Sequence, residues 1–460
     1  MTVHPYIPNS VPRVKREMLD EIGVRDVEEL YGAIPERLRF RRPLDLPPPL
    51  RSEQALRRHI EELLGPNESC REALSFLGAG CWQHYVPAVC DEIANRAEFV
   101  TAYYGDTYSD HGKLQAMFEF ASMIGELVEL EAVGMPTYDW GSAAATSICM
   151  AARITGKSVA LLPRSMGAER RSIVEGFCSP WVEVVEIPFD GATGLLDLGA
   201  LRSALSAETA CVYLESPGYL GAIETQAREV AALAHEAGAL VVVGVDPISL
   251  GVLEAPPRYG ADIVCGELQP LGIHMHYGGG LAGFVATPDE ERFVVEYPTF
   301  LIGLGPTVVE GEYGFGEVVW ERTSYVQRGD SKDYTGTTQN LWAIAAGVYL
   351  ALLGPQGLAE LGQGIMQRSQ YAAARLAELP GVRAPALSGP FFKELVVDFG
   401  GTGKTVAEVN AALRERGIFG GKDLSADYPE LGQSALYCVT EIHTKADVDR
   451  LAENLREVIS

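Results

Sequence analysis

Between residues 158 and 286 the chain passes through six short apolar runs, at 158–162, 182–187, 210–214, 239–245, 262–265 and 281–286. Polar segments with helical spacing separate them, among them 227–237. The runs are continuous and do not alternate apolar with polar, so each strand they predict is buried on both faces. Buried strands alternating with helices imply a mostly parallel sheet with helices on either side, an α/β architecture. Ahead of them, 111–130 predicts a strong amphipathic helix. Leu114, Met117, Phe118, Ala121, Ile124, Leu127 and Val128 fall on one stripe.

The pattern changes at both ends. Residues 1–75 predict a helical arm. A first helix runs from Val11 to Gly23, and a second starts at Asp26 as its cap. A connector at 41–49 carries too many prolines for a helix, and helical spacing resumes over 52–64. Residues 76–335 form the large domain. Residues 336–460 form a smaller α+β domain with strands at 394–399 and 434–440 and helices at 406–417 and 446–459. An apolar helix at 341–353 has 13 residues against the roughly 20 that cross a bilayer, so it reads as buried.

Composition narrows the partners. A formal charge of −25 on 460 residues repels nucleic acid and anionic membranes alike. The N-terminal residues lack a basic segment followed by an apolar one, so no secretory signal is read there, and a cytoplasmic location is expected. The eight cysteines are dispersed, mostly inside apolar runs, with no Cys-x-x-Cys pair. They read as reduced core residues, with neither a zinc site nor a redox pair.

The candidate chemistry centres on an absence. No lysine occurs between Lys157 and Lys332, and the chain has eight in all. Within that gap the run from Ala239 to Val245 ends in Asp246 and Pro247, and a second strand leads through Glu267 to Gln269-Pro270-Leu271. Ligands of open α/β sheets bind beyond the carboxyl ends of strands. An aspartate there can keep the nitrogen of a pyridine cofactor protonated, or it can merely cap the following turn. An enzyme of this layout that uses pyridoxal phosphate (PLP) would carry its anchoring lysine near Pro270. Gly141 and Ser142, in Asp139-Trp140-Gly141-Ser142-Ala143, open a helix. Its free N–H groups could hold a phosphate, or the segment could be a plain N-cap. Gly400-Gly-Thr-Gly-Lys-Thr405 is not a nucleotide loop, because Asp398 stands where that motif needs glycine. His274-Met275-His276 lacks a third metal ligand, so no metal is expected. The glycines at 278–280 suggest close backbone approach to a ligand or another chain. Cys81 and His84 are too weak a pair to indicate a nucleophile.

Longer strings carry a resemblance. They include Tyr6-Ile-Pro-Asn9, Phe76-Leu-Gly-Ala-Gly80, His84-Tyr-Val-Pro87, Glu98-Phe-Val-Thr-Ala-Tyr103, Leu114-Gln-Ala-Met-Phe-Glu-Phe120, Asp246-Pro-Ile-Ser-Leu-Gly251 and Tyr349-Leu-Ala-Leu-Leu-Gly-Pro355. With these the chain resembles the alpha subunits (subunit 1) of decarboxylating glycine dehydrogenase, the P-protein of the glycine cleavage system, over nearly its whole length. The resemblance implies a fold-type I PLP-transferase fold with an aspartate-aminotransferase-like large domain. It also implies a beta subunit that carries the PLP lysine, in an α2β2 assembly. That assembly decarboxylates glycine and passes the aminomethyl group to the lipoyl arm of the H protein. By motif, Asp246 takes the pyridine-facing position and Pro270 the lysine position. Asp246, Gly141 and Ser142 are then a relic or a shared cofactor site, with no catalytic residue and no covalently bound PLP on this chain.

The chain departs from those subunits at 109–113, 139–143, 278–281 and 331–339. These segments would face a ligand or a subunit. The departures leave open a paralogue that pairs with another PLP subunit for a different amino acid, or a scaffold subunit without catalysis.

Overall fold

The computed structural model describes residues 11–100, 111–318, 322–324, 329, 331–333, 335 and 338–460. Tyr6 to Asn9, Thr101 to Tyr103, Ser109, Asp110 and several positions of the 331–339 segment lie outside the described residues. The chain divides into two compact units, residues 1–67 and 68–460.

In the first unit, the helix Pro12–Ile22 has proline at its start and stops at Gly23, whose φ of 82° is left-handed. Asp26 caps Val27–Leu30 by accepting from the N–H groups of Glu28 and Glu29. Ser52 caps Glu53–Leu64 through the Ala55 N–H. The proline-rich stretch between them holds neither helix nor strand, and Arg41 ties it to Glu28 and Glu36. Leu38, Phe40, Leu44 and Leu46 are exposed.

The second unit is built on a seven-stranded sheet. Its order is Ala132–Val133, Gly283–Thr287, Ile263–Glu267, Leu240–Val245, Thr209–Glu215, Val159–Pro163, Glu183–Ile187. The last five in that order are mutually parallel, and the first two strands are each antiparallel to their neighbours. All six predicted runs are present, displaced by a residue or two. On one face, Leu161, Val212, Val243 and Val264 pack against the helices His111–Val128, Ala227–Glu236 and the first part of Asn340–Ala377. On the other, Cys211, Tyr213, Val242 and Cys265 pack against Trp140–Thr155. Coverage of both faces explains the unbroken apolar runs. Phe120, off the predicted stripe of its helix, is fully buried with Met117 and Ile124, each contributing roughly 2–3 kcal/mol.

The apolar helix is much longer than its sequence pattern suggests. It runs Asn340–Ala377 and breaks at Gly354 (φ 60°, ψ −178°), just before Pro355. Ala343, Ile344 and Tyr349 belong to the large-sheet core, whereas Ala372 and Leu376 belong to the core of the smaller sheet. The passage between the two layers therefore lies inside this helix. The smaller sheet is antiparallel, ordered Glu394–Asp398, Ser434–Cys438, Lys422–Asp423. Capping boxes at Thr405 and Thr444 start its two helices, Val406–Arg414 and Lys445–Ile459. Residues 400–405 are the strand-to-helix turn expected of them.

Candidate functional site

Asp246 sits at the carboxyl end of the central strand Leu240–Val245 and is buried. One carboxylate oxygen, Oδ1, accepts from the Ile248 N–H at 3.1 Å and caps the turn that Pro247 begins. The other, Oδ2, lies 2.6 Å from Nζ of Lys393, and both side chains are 3–4 % exposed. Lys393 comes from the other layer, immediately before the strand Glu394–Asp398. Its Nζ also lies 3.1 Å from His84 Nε2 and 3.6 Å from the centre of the Trp82 ring. An ammonium can only donate, so His84 Nε2 accepts and Nδ1 carries the hydrogen. Nδ1 then donates to Glu441 Oε2 at 2.8 Å. Burial by itself would push the Glu441 carboxyl up. The hydrogen bonds from His84 Nδ1 and the Tyr85 N–H outweigh it and hold the carboxyl at about 2. The line Glu441–His84–Lys393–Asp246 thus joins the two sheets through buried charge.

A second line continues from the Trp82 ring. Trp82 and Trp140 are 6.5 Å apart at 55°. On Trp140 lies the Arg170 guanidinium, 3.7 Å from the ring centre. Arg170 is paired with Glu215 at the carboxyl end of the strand Thr209–Glu215. Burial works against the Arg170 charge, but Glu215 and Tyr213 beside it hold the pKa above the ordinary arginine range. The Trp140 indole N–H donates to Tyr213 Oη at 3.0 Å, and that hydroxyl donates to Glu215 Oε1 at 2.9 Å. One continuous line of contacts therefore runs carboxylate, ammonium, ring, ring, guanidinium, carboxylate.

The helix Trp140–Thr155 begins beside this line, and Gly141 and Ser142 are where the sequence places them, buried in its first turn. The N–H groups of Trp140 and Ser142 are engaged by the chain itself. Ser142 N–H donates to Asp139 Oδ1 at 2.6 Å, and Ser142 Oγ returns a contact to the Asp139 N–H, closing a capping box. The Trp140 N–H donates to Oε2 of Glu267 at 3.0 Å. Glu267 also accepts from the N–H groups of Gln269 and Ala282. Complete burial pushes its carboxyl up to about 8, against the pull of those three donors.

Pro270 is buried in the turn after Glu267. The neighbouring Gln269 side chain clamps Trp82, accepting from its N–H at 3.0 Å and donating to its carbonyl at 2.9 Å. The glycine run serves the same turn: a Cβ on Gly280 would stand 2.0 Å from the His274 carbonyl oxygen. The close approach is internal to the chain. His274 contacts Asp91 and His276 stacks on Trp342. Among the described residues no His, Cys, Asp or Glu cluster could hold a metal. Burial pushes the Cys81 thiol up to about 12, which leaves it unreactive.

Three parts of PLP need a partner on a protein, and each position is already spent here. The carbonyl needs an amine, and residue 270 is a buried proline. The pyridine nitrogen needs a carboxylate oxygen, and Asp246 Oδ2 pairs with Lys393. The phosphate needs N–H donors at the helix start, and those of Trp140 and Ser142 go to Glu267 and Asp139. Lys393 is no displaced anchor either. An anchor must stand a full ring's length from the pyridine-facing carboxylate, whereas its Nζ touches that carboxylate. The residues present do not fit the cofactor. Asp246 closes its strand, Gly141 and Ser142 open their helix, and of that helix start it is Trp140 that lines a cavity with Asp246; Lys393, Arg170, Glu267 and Glu441 carry no comparable signal in the sequence. Nothing in the sequence around them sets these charges apart from their neighbours, and only the folded contacts distinguish them.

The comparisons with known proteins accord with this architecture. The family model described as glycine cleavage system P-protein matches residues 4–455. The probable glycine dehydrogenase (decarboxylating) subunit 1 of Staphylothermus marinus is 38 % identical, aligned over 100 % of this chain and 99 % of its own. That of Geobacillus kaustophilus is 38 % identical over 98 % and 99 %. A crystal structure of glycine decarboxylase, the P-protein of the glycine cleavage system, in inhibitor-bound form superposes with a TM-score of 0.83 at 34 % identity, covering all of both chains. A sphingosine-1-phosphate lyase from Burkholderia pseudomallei gives 0.64 at 17 % identity, over 93 % of this chain and 94 % of its own. The fold is that of the fold-type I PLP-dependent transferases.

Proposed function

Because this chain belongs to the glycine cleavage system P-protein family, we propose that it is the lysine-free alpha subunit of a decarboxylating glycine dehydrogenase. A beta-type partner, in an α2β2 assembly, carries the PLP. The complex decarboxylates glycine and passes the aminomethyl group to the lipoyl arm of an H protein, in the cytoplasm. The observation that carries this reading is the full-length match to proteins named subunit 1, in a chain whose Asp246 carboxylate is paired with Lys393.

The chain's contribution is shape and surface. Its pocket balances its own charges, and its divergent 139–143 segment turns inward, Trp140 lying under Arg170. That segment gives no reason to invoke another substrate. The exposed Leu38, Phe40, Leu44 and Leu46 of the first unit offer apolar surface of the kind a partner covers.

The test is to purify the chain with its beta-type partner, add PLP, reduce with borohydride and map the labelled lysine. The adduct is expected on the partner alone, together with glycine–bicarbonate exchange that depends on H protein. A stoichiometric adduct on this chain, or exchange with another amino acid in place of glycine, would overturn the proposal.

A further inference from the structure

We propose that Lys393 is a tethered cation filling a receptor for a primary ammonium ion, and that truncating its side chain turns the pocket into a binding site for a free alkylammonium. The inference does not depend on which reaction the complex performs.

The receptor has three walls around the ammonium. Asp246 Oδ2 supplies a carboxylate at 2.6 Å. His84 Nε2 supplies an acceptor at 3.1 Å, with its tautomer fixed by Glu441 on the far side of the ring. The face of Trp82 supplies the third, with its centre 3.6 Å from Nζ. A carboxylate, a neutral imidazole and an indole face are together the chemistry that recognises an ammonium group. Each wall is held independently of Lys393. Asp246 is fixed by the Ile248 N–H and the end of its strand. Trp82 is fixed by the Gln269 clamp. His84 is fixed by Glu441, which is itself held by the Tyr85 N–H at 2.7 Å. The rest of the lysine side chain is a tether from the strand Glu394–Asp398, so the walls persist when the tether is cut.

Lys393→Ala removes three methylenes and the ammonium, a gap matching n-propylammonium. It leaves Asp246 buried without its counter-charge, a strongly destabilising change. We expect the melting temperature of the whole chain to fall by about 4–6 °C. Millimolar n-propylammonium chloride should restore at least half of that loss in a saturable way. Tetramethylammonium and sodium chloride at equal ionic strength should not, and the unsubstituted chain should not respond. Tryptophan fluorescence should follow the same titration, because the ion docks on Trp82, and the Trp82→Phe, Lys393→Ala double substitution should remove that signal.

A second set guards against failure of the Ala variant to fold. Lys393→Met, Asp246→Asn and their combination form a cycle in which the doubly substituted chain is expected to be more stable than either single one. Rescue by all salts alike, no rescue by n-propylammonium, or additive losses in the cycle would each overturn the proposal.

Discussion

Glu441→Gln should uncouple the stability of the second unit from acid pH. In the folded chain the Glu441 carboxyl is held at about 2 against an ordinary value of 4.5. At roughly 1.4 kcal/mol per pH unit, the difference amounts to about 3 kcal/mol of stability at neutral pH, with little solvent screening because the side chain is 17 % exposed. The sign follows from proton counting. Between 4.5 and 2 the unfolded chain binds a proton at this site that the folded chain does not, so the contribution is fully present above the unfolded value and is lost as pH falls through the folded one. By pH 3 about 1–1.5 kcal/mol of it should remain. Glutamine keeps an acceptor for His84 Nδ1 but cannot titrate. Urea denaturation of both proteins at half-unit steps from pH 7 to pH 3 measures the gap between them. That gap should be constant above pH 6 and at least halve by pH 3. A gap that is the same at pH 3 and pH 7 would refute the argument, because the interaction would then owe nothing to the charge of Glu441.

Glu267 should behave with the opposite sign. Its folded value near 8 lies above the ordinary one, so stability falls as pH rises from about 4.5 through 8. Glu267→Gln should flatten that slope in thermal melts, and an unchanged slope would count against a protonated Glu267. Gly221→Ala should destabilise severely or abolish folding, since φ is +90° and the new Cβ would lie 2.0 Å from the Glu394 carbonyl oxygen. A soluble variant with an unshifted melting temperature would contradict the backbone packing described for that turn. Pro270→Lys, incubated with PLP and reduced, should give no stoichiometric pyridoxyl peptide at position 270. Such a peptide, mapped by mass, would mean the pocket accepts the cofactor once an amine is supplied.

The large sheet is legible in the sequence because burial on both faces writes itself as unbroken apolar runs, and strand ends move only by the residue or two that local turns decide. Asp246 is legible for the same reason, as a carboxylate that closes such a run. What fills the pocket is not. Lys393 reaches Asp246 across 147 positions of chain, and no periodicity records a contact between two layers. Asp246 caps the following turn through Oδ1, while its Oδ2 meets Lys393. The helix at 341–353 was read short because Gly354 and Pro355 look like a stop, whereas the chain resumes its helix beyond a single left-handed residue. Phe120 was missed because a helix wedged between a sheet and a second helix buries more than one stripe.

Losing the lysine near 270 would not by itself empty a cofactor pocket of binding power, since Asp246, Glu215 and Arg170 would remain as buried charges in want of partners, each strongly destabilising. The structure resolves them pairwise: Lys393 with Asp246, and Arg170 with Glu215. Glu267, raised to about 8, carries little charge at neutral pH. PLP, which brings a phosphate and a pyridine nitrogen, would have to break the Lys393–Asp246 pair to place its nitrogen on that carboxylate. A pocket that had merely lost its lysine would still offer that oxygen to the ring, and this one offers it to Lys393. This separates the missing lysine, visible in the sequence, from the paired carboxylate, visible only in the fold.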